Sequence, residues 1–124
     1  MSSLAQFLQT GDWKGEKHVP VIHAPEKAKA DDLIEIKLSV GDSAKHPNTL
    51  EHHIAWFKLF YIPDGGKFPV ELGDFKFSAH GEADAYSEPI VTANVQLKKS
   101  GKLYALSYCN IHGLWENSKE ITIE

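Results

Sequence analysis

The chain has 124 residues, 42% hydrophobic and 24% charged, with 13 basic against 17 acidic side chains and a formal charge of −4. These values fit one soluble domain, residues 1–124, long enough to close a hydrophobic core, and they exclude a disordered chain. The acidic balance disfavours nucleic acid or an anionic membrane surface as partner, and no apolar run is long enough to span a bilayer.

At the N-terminal end, residues 2–10 place Leu4, Phe7 and Leu8 on one face and predict a short helix. The same stretch has no basic start and no long apolar run, so no secretory leader is expected and the chain is placed in the cytoplasm. Residues 17–23 predict a short strand, set on a sheet edge by Pro20. Residues 33–40, LIEIKLSV, alternate Ile34, Ile36, Leu38 and Val40 against Glu35, Lys37 and Ser39, the period of a half-buried strand. Residues 52–62 and 102–109 are apolar or aromatic on both faces and suit central strands. Residues 74–80 alternate Phe75, Phe77 and Ala79 against Asp74, Lys76 and Ser78. Residues 91–97 do the same with Val91, Ala93, Val95 and Leu97, and Ile121 with Ile123 gives a short last strand. Turn signals at Gly41-Asp42, Pro63-Asp64-Gly65-Gly66, Gly73, Gly81 and Ser100-Gly101 separate these runs. About seven short strands so spaced predict an all-β fold, an immunoglobulin-like antiparallel β-sandwich with a short N-terminal helix.

Four segments concentrate metal-ligating side chains: Glu16-Lys17-His18, His46-Pro47-Asn48, Glu51-His52-His53 and Cys109-Asn110-Ile111-His112. A lone cysteine forms no internal disulfide, but Cys-x-x-His is a ligand spacing, because a tight loop can turn both side chains onto one ion. Neighbours on an extended chain point to opposite faces, so only one of His52 and His53 is expected to face the ion, and spacing does not say which. Pro47 biases His46 to an extended conformation. One thiolate among several imidazoles suits iron, copper or zinc and excludes calcium or magnesium. A closed zinc site needs only four ligands, and a blue-copper electron carrier usually has a weak axial methionine, whereas the only methionine here is Met1. Excess histidine without methionine points to iron.

Three blocks carry a family resemblance: GDWKGEKHVPVI from Gly11, HPNT at His46 with EHHI from Glu51, and GKLYALSYCNIHGLWEN from Gly101. With fainter similarity through Ala79-His80-Gly81-Glu82, the match covers almost the whole chain, which resembles the one-iron, neelaredoxin type of superoxide reductase in the desulfoferrodoxin family. Small departures are Ser43-Ala44-Lys45 before His46, Leu50 in place of threonine, and a short loop from Glu82 to Tyr86.

The resemblance implies one iron ion per chain, with His18, His46, His52 and His112 equatorial and Cys109 axial. It implies an enzyme that adds one electron and two protons to superoxide, giving hydrogen peroxide, with an external donor such as rubredoxin. No second, four-cysteine iron site is expected. Fe(II), one thiolate and four neutral imidazoles sum to +1, which attracts an anion locally despite the acidic chain. The resemblance gives Lys17 the role of attracting or protonating the substrate, and Glu16 that of closing the open position of the oxidised centre. The axial thiolate tunes iron–oxygen chemistry, and amide N–H groups just beyond Cys109 are expected to hydrogen-bond its sulfur. The same iron suits dismutation as well as reduction. A homotetramer is implied as the assembly. His23, His53 and His80 are expected to be surface or hydrogen-bonded histidines, and Trp13, Trp56 and Trp115 packing residues.

Overall fold

The computed structural model describes residues 3–124. Among the described residues there are eight strands: β1 (Val21–His23), β2 (Lys27–Ala28), β3 (Ile34–Ser39), β4 (Ile54–Pro63), β5 (Val70–Lys76), β6 (Ile90–Val95), β7 (Gly101–Cys109) and β8 (Gly113–Ile123). They form a three-stranded sheet, β1-β3-β6, and a five-stranded sheet, β2-β8-β7-β4-β5. All pairings are antiparallel except that of β2 with β8. Among the described residues no helix is long and apolar enough to cross a membrane.

The predicted sandwich is present, and its core lies between the sheets. Ile34, Ile36 and Leu38 face inward from β3, while Glu35 and Lys37 stay exposed. From β4 come Phe57, Leu59 and Tyr61, and from β7 come Leu103 and Ala105, every second residue as a strand requires. Burial of each large apolar side chain contributes about 1.5–3 kcal/mol, so this layer holds the two sheets together. Pro20 directly precedes β1, an edge strand, as its lack of an N–H dictates.

Several elements differ from expectation. The N-terminal helix is one 3-10 turn, Leu4–Phe7, and Ser2 of the expected helix lies outside the described residues. Leu4 and Phe7 are exposed, so no core contact supports a longer helix. The strand expected over residues 74–80 instead runs Val70–Lys76. Gly73 sits inside it beside a register shift at Leu59/Phe60, with the Phe75 ring packed over the missing side chain. The last strand is eleven residues long because β7 offers a continuous ladder from Gly101 to Cys109.

This register gathers the chemistry at one end of the sandwich. Val21 pairs with Ser39, so His18, just before β1, and His46, in the loop after β3, share that end. Ile54 pairs with Cys109, which brings the residues before β4 beside the last residue of β7. A second register shift, between Ile54 and Trp56, bends the chain where it leaves His52 and His53.

Candidate metal centre

Cys109 is the last inward-facing residue of β7 and is fully buried. A three-residue turn then brings His112 back, and Gly113, at φ 80°, accepts the left-handed conformation that starts β8. The turn is fastened by Asn110. Its Oδ1 accepts from the His53 N–H at 2.8 Å, its Nδ2 donates to the Glu51 carbonyl at 2.9 Å, and its own N–H reaches the His53 carbonyl at 3.2 Å. The amide that faces the sulfur is that of His112, 3.4 Å from Sγ. The amide of Asn110 is engaged with His53 and not with the sulfur.

His18 is held from three sides. Its N–H donates to Glu16 Oε1 at 2.9 Å, and its Nδ1 lies 2.6 Å from the same oxygen. Its carbonyl accepts from the buried Ser107 hydroxyl at 2.7 Å. Its ring stacks on the Trp115 ring, centroids 4.8 Å apart and planes 13° from parallel. His46 is reached through a loop that needs Gly41 at φ 66°, where a side chain would collide with the Ala44 carbonyl and the His46 amide. Its Nδ1 meets the Pro47 carbonyl at 2.7 Å. In His52, the N–H and carbonyl both pair with Thr49.

With their outer nitrogens fixed on a carboxylate or carbonyl, His18 and His46 turn their Nε2 atoms inward, the arrangement usual for metal-binding imidazoles. Four rings follow one another around a near-square: His18–His46 4.7 Å, His46–His52 4.7 Å, His52–His112 5.0 Å and His112–His18 4.8 Å. The His18–His52 diagonal is longer, 6.4 Å. Cys109 Sγ lies 3.6 Å from His46 Nε2 and 3.7 Å from His112 Nδ1, which occupy opposite corners, so the sulfur is about equally far from both. Donor atoms of His18, His46, His52 and Cys109 all fall within 4.8 Å of one another. His112 Nδ1 closes the figure 3.1 Å from His18 Nε2.

The donors fit a single transition-metal ion. His52 Nε2 is buried without a hydrogen-bond partner, a state that costs about 1–3 kcal/mol unless a ligand satisfies it. One thiolate and four imidazoles suit a soft or borderline metal. The sulfur is buried while His112 is exposed, so the His112 corner is the one nearest solvent.

Electrostatics favour the neutral forms of His46 and His52. Burial pushes His46 down from 6.5 to about 4, reinforced by the charges of His18, His52 and Lys17 against a bond to Pro47. Burial and the same kind of neighbours also lower His52. Burial resists ionisation of Glu16, but bonds from His18 outweigh it and hold the carboxyl below its ordinary value. Glu16 is thus engaged with His18 and is no freely solvated partner of Lys17.

A family model described as desulfoferrodoxin matches residues 10–118. The chain belongs to the desulfoferrodoxin family. A superoxide reductase from Thermococcus kodakarensis is 53% identical, covering 98% of this chain and 99% of the relative. A crystal structure from Thermotoga maritima superposes with a TM-score of 0.97 at 50% identity, covering 100% and 99% of the two chains. A superoxide reductase (neelaredoxin) from Archaeoglobus fulgidus in the reduced form gives 0.86 at 45% identity, covering 94% and 98%.

Four of the five candidate ligands bring donor atoms together, His112 adjoins them through His18 and Cys109, and His53, left open by spacing, points elsewhere. Its Nδ1 faces the Thr49 carbonyl at 2.8 Å. His23 is bonded to Ser39 and Asp42 at 3.1 and 2.9 Å. Sequence reasoning gave no role to Ser107, Asn110 or Trp115 at the centre. Ser107 is 89 residues from its partner His18, and no local pattern announces such a bond.

Proposed function

We propose that the chain is a superoxide reductase whose centre is one iron ion held by His18, His46, His52 and His112 in a plane and by Cys109 on the axis. The observation that carries this reading is the near-square of four rings with the buried Cys109 sulfur packed against it. Iron held there would supply a one-electron couple for a small anionic substrate. The chain's own residues do the rest. Lys17 places a positive charge near His46 and His52, enough to disfavour protonation of both, and so draws an anionic substrate to the open face. Glu16 fixes the His18 ring through Nδ1, and the closing of the open position by its carboxylate in the oxidised centre stays what the family resemblance implies. The His112 amide, bonded to Sγ, tempers the electron density the thiolate donates.

In the reaction superoxide takes one electron from an external donor such as rubredoxin and two protons from solvent, leaving as hydrogen peroxide. The outer face of the five-stranded sheet carries a groove lined by Leu8, Phe60, Ile62, Tyr104 and Leu106, which suits association of copies into the proposed homotetramer. A cytoplasmic location belongs to the same reading.

Metal analysis with visible spectra of oxidised and ascorbate-reduced protein tests the centre. About one iron per chain is expected, with a ferric–thiolate band that vanishes on reduction and is lost in Cys109→Ser. Copper or zinc after expression with adequate iron, or bound iron without that band, would overturn it. With donor present, one peroxide per superoxide consumed is expected, whereas oxygen release with half that yield would indicate dismutation.

A further inference from the structure

His80 lies outside the five donors, is buried, and is fixed more firmly than any role so far described requires. Its Nε2 is 2.8 Å from the Phe77 carbonyl and its Nδ1 is 2.8 Å from Asn48 Oδ1. Its N–H donates to Glu82 Oε1 at 2.8 Å. Its ring lies flat on that of His53, centroids 3.5 Å apart and planes 6° from parallel. The Asn48 amide is oriented by a second bond, from Nδ2 to the Ser87 carbonyl at 3.1 Å, so its oxygen is the atom presented to His80. Both ring partners are acceptors, so the ring donates to both when it carries both protons.

The segment carrying His80 is itself sharply bent. Ala83 and Asp84 take φ of 52° and 59°, conformations that side-chain-bearing residues keep only where the surroundings over-determine them. Ser87 N–H bonds to the Ala79 carbonyl at 2.6 Å and closes the loop, and Asn48 bridges its two arms at His80 and Ser87.

Asn48 stands two residues after His46, and His53 directly follows His52. One buried ring therefore grips both segments that carry these adjacent corners of the square. We propose that His80 is a positioning residue, which sets the spacing of His46 and His52 through Asn48 and the His53 ring. This rests on the metal centre proposed above.

Cobalt(II) titrated into metal-free protein tests it, followed by the thiolate–cobalt absorption band, with thermal unfolding of the same samples. His80→Phe keeps a flat ring but loses both bonds, and Asn48→Ala removes the bridge while leaving the buried ring in place. Each is expected to lose about 10- to 100-fold in cobalt affinity and to shift the band, as loss of a supporting bond does at metal sites. The double variant should be no worse than the weaker single, because both cut one linkage. His80→Gln, with an amide donor toward Asn48, should recover part of the loss. Cooperatively unfolding variants with wild-type affinity and band would overturn the proposal, as would fully additive losses. If His80→Phe fails to fold, Asn48→Ala decides alone. A wild-type chain that binds cobalt without a thiolate band would overturn the centre, and the positioning role with it.

Discussion

Replacing Ser107 by alanine removes one hydroxyl from a site with no solvent. Ser107 is fully buried in β7, and its hydroxyl donates to the His18 carbonyl at 2.7 Å. A neutral hydrogen bond is worth about 0.5–1.5 kcal/mol net, but a carbonyl stranded in the interior costs about 1–3 kcal/mol. The mutant carbonyl has no water to turn to, so the upper range applies, and the metal-free protein should lose about 1–3 kcal/mol. For a domain of this size that is a fall in Tm of roughly 3–10 °C. Urea unfolding of metal-free Ser107→Ala at neutral pH measures it directly. Because the same bond anchors the backbone of His18, metal affinity should fall about tenfold beyond the stability loss. A stability change below about 0.5 kcal/mol would refute the claim that this hydroxyl satisfies an otherwise orphaned carbonyl.

Phe57→Ala should cost about 3–5 kcal/mol in urea unfolding, since the ring is fully buried between the sheets, edge-on to Phe77 at 5.1 Å. Metal-free protein should also lose stability on acidification. His46 moves from 6.5 unfolded to about 4 folded, so between those values the unfolded chain binds the extra proton. Its contribution, about 3 kcal/mol at about 1.4 kcal/mol per pH unit, is present above pH 6.5 and gone below about 4. His52 and Glu16, both lowered, act in the same sense, and flat stability from pH 7 to 4.5 would contradict the neutral, buried state of His46. Finally, Glu16→Gln should leave iron bound but change the ferric spectrum, because the amide can no longer serve as a charged partner of His18; an unchanged spectrum would argue for a bystander.

The sandwich was legible where burial on one face writes itself into the chain. In β3 the alternation of isoleucine and leucine with glutamate and lysine is the alternation of core and solvent. It was illegible where pairing rather than patterning makes the strand. Residues Glu116, Asn117, Ser118, Lys119 and Glu120 have no strand-like alternation, yet they lie in β8 because each finds its partner on β7. Gly73 reads as a turn in one dimension and proves to be a strand residue beside a bulge. The five candidate ligands were named through family resemblance, with Cys-x-x-His the one spacing that pointed there unaided. Their supports could not be named, since Ser107, Asn48 and His80 act across sequence distances that leave no local trace.

The donors of the centre span 94 residues, from His18 to His112, and come from four separate stretches of chain. An unfolded chain therefore offers a metal at best fragments, such as Cys109 with His112. The metal must then be acquired by the finished fold, after the two sheets have closed on one another. Once seated, it behaves as a reversible cross-link across most of the polypeptide. In the chain-entropy picture a closure of that span confers about 5 kcal/mol against unfolding. Loss of a metal held there would thus undo the proposed centre and loosen the whole domain in one event.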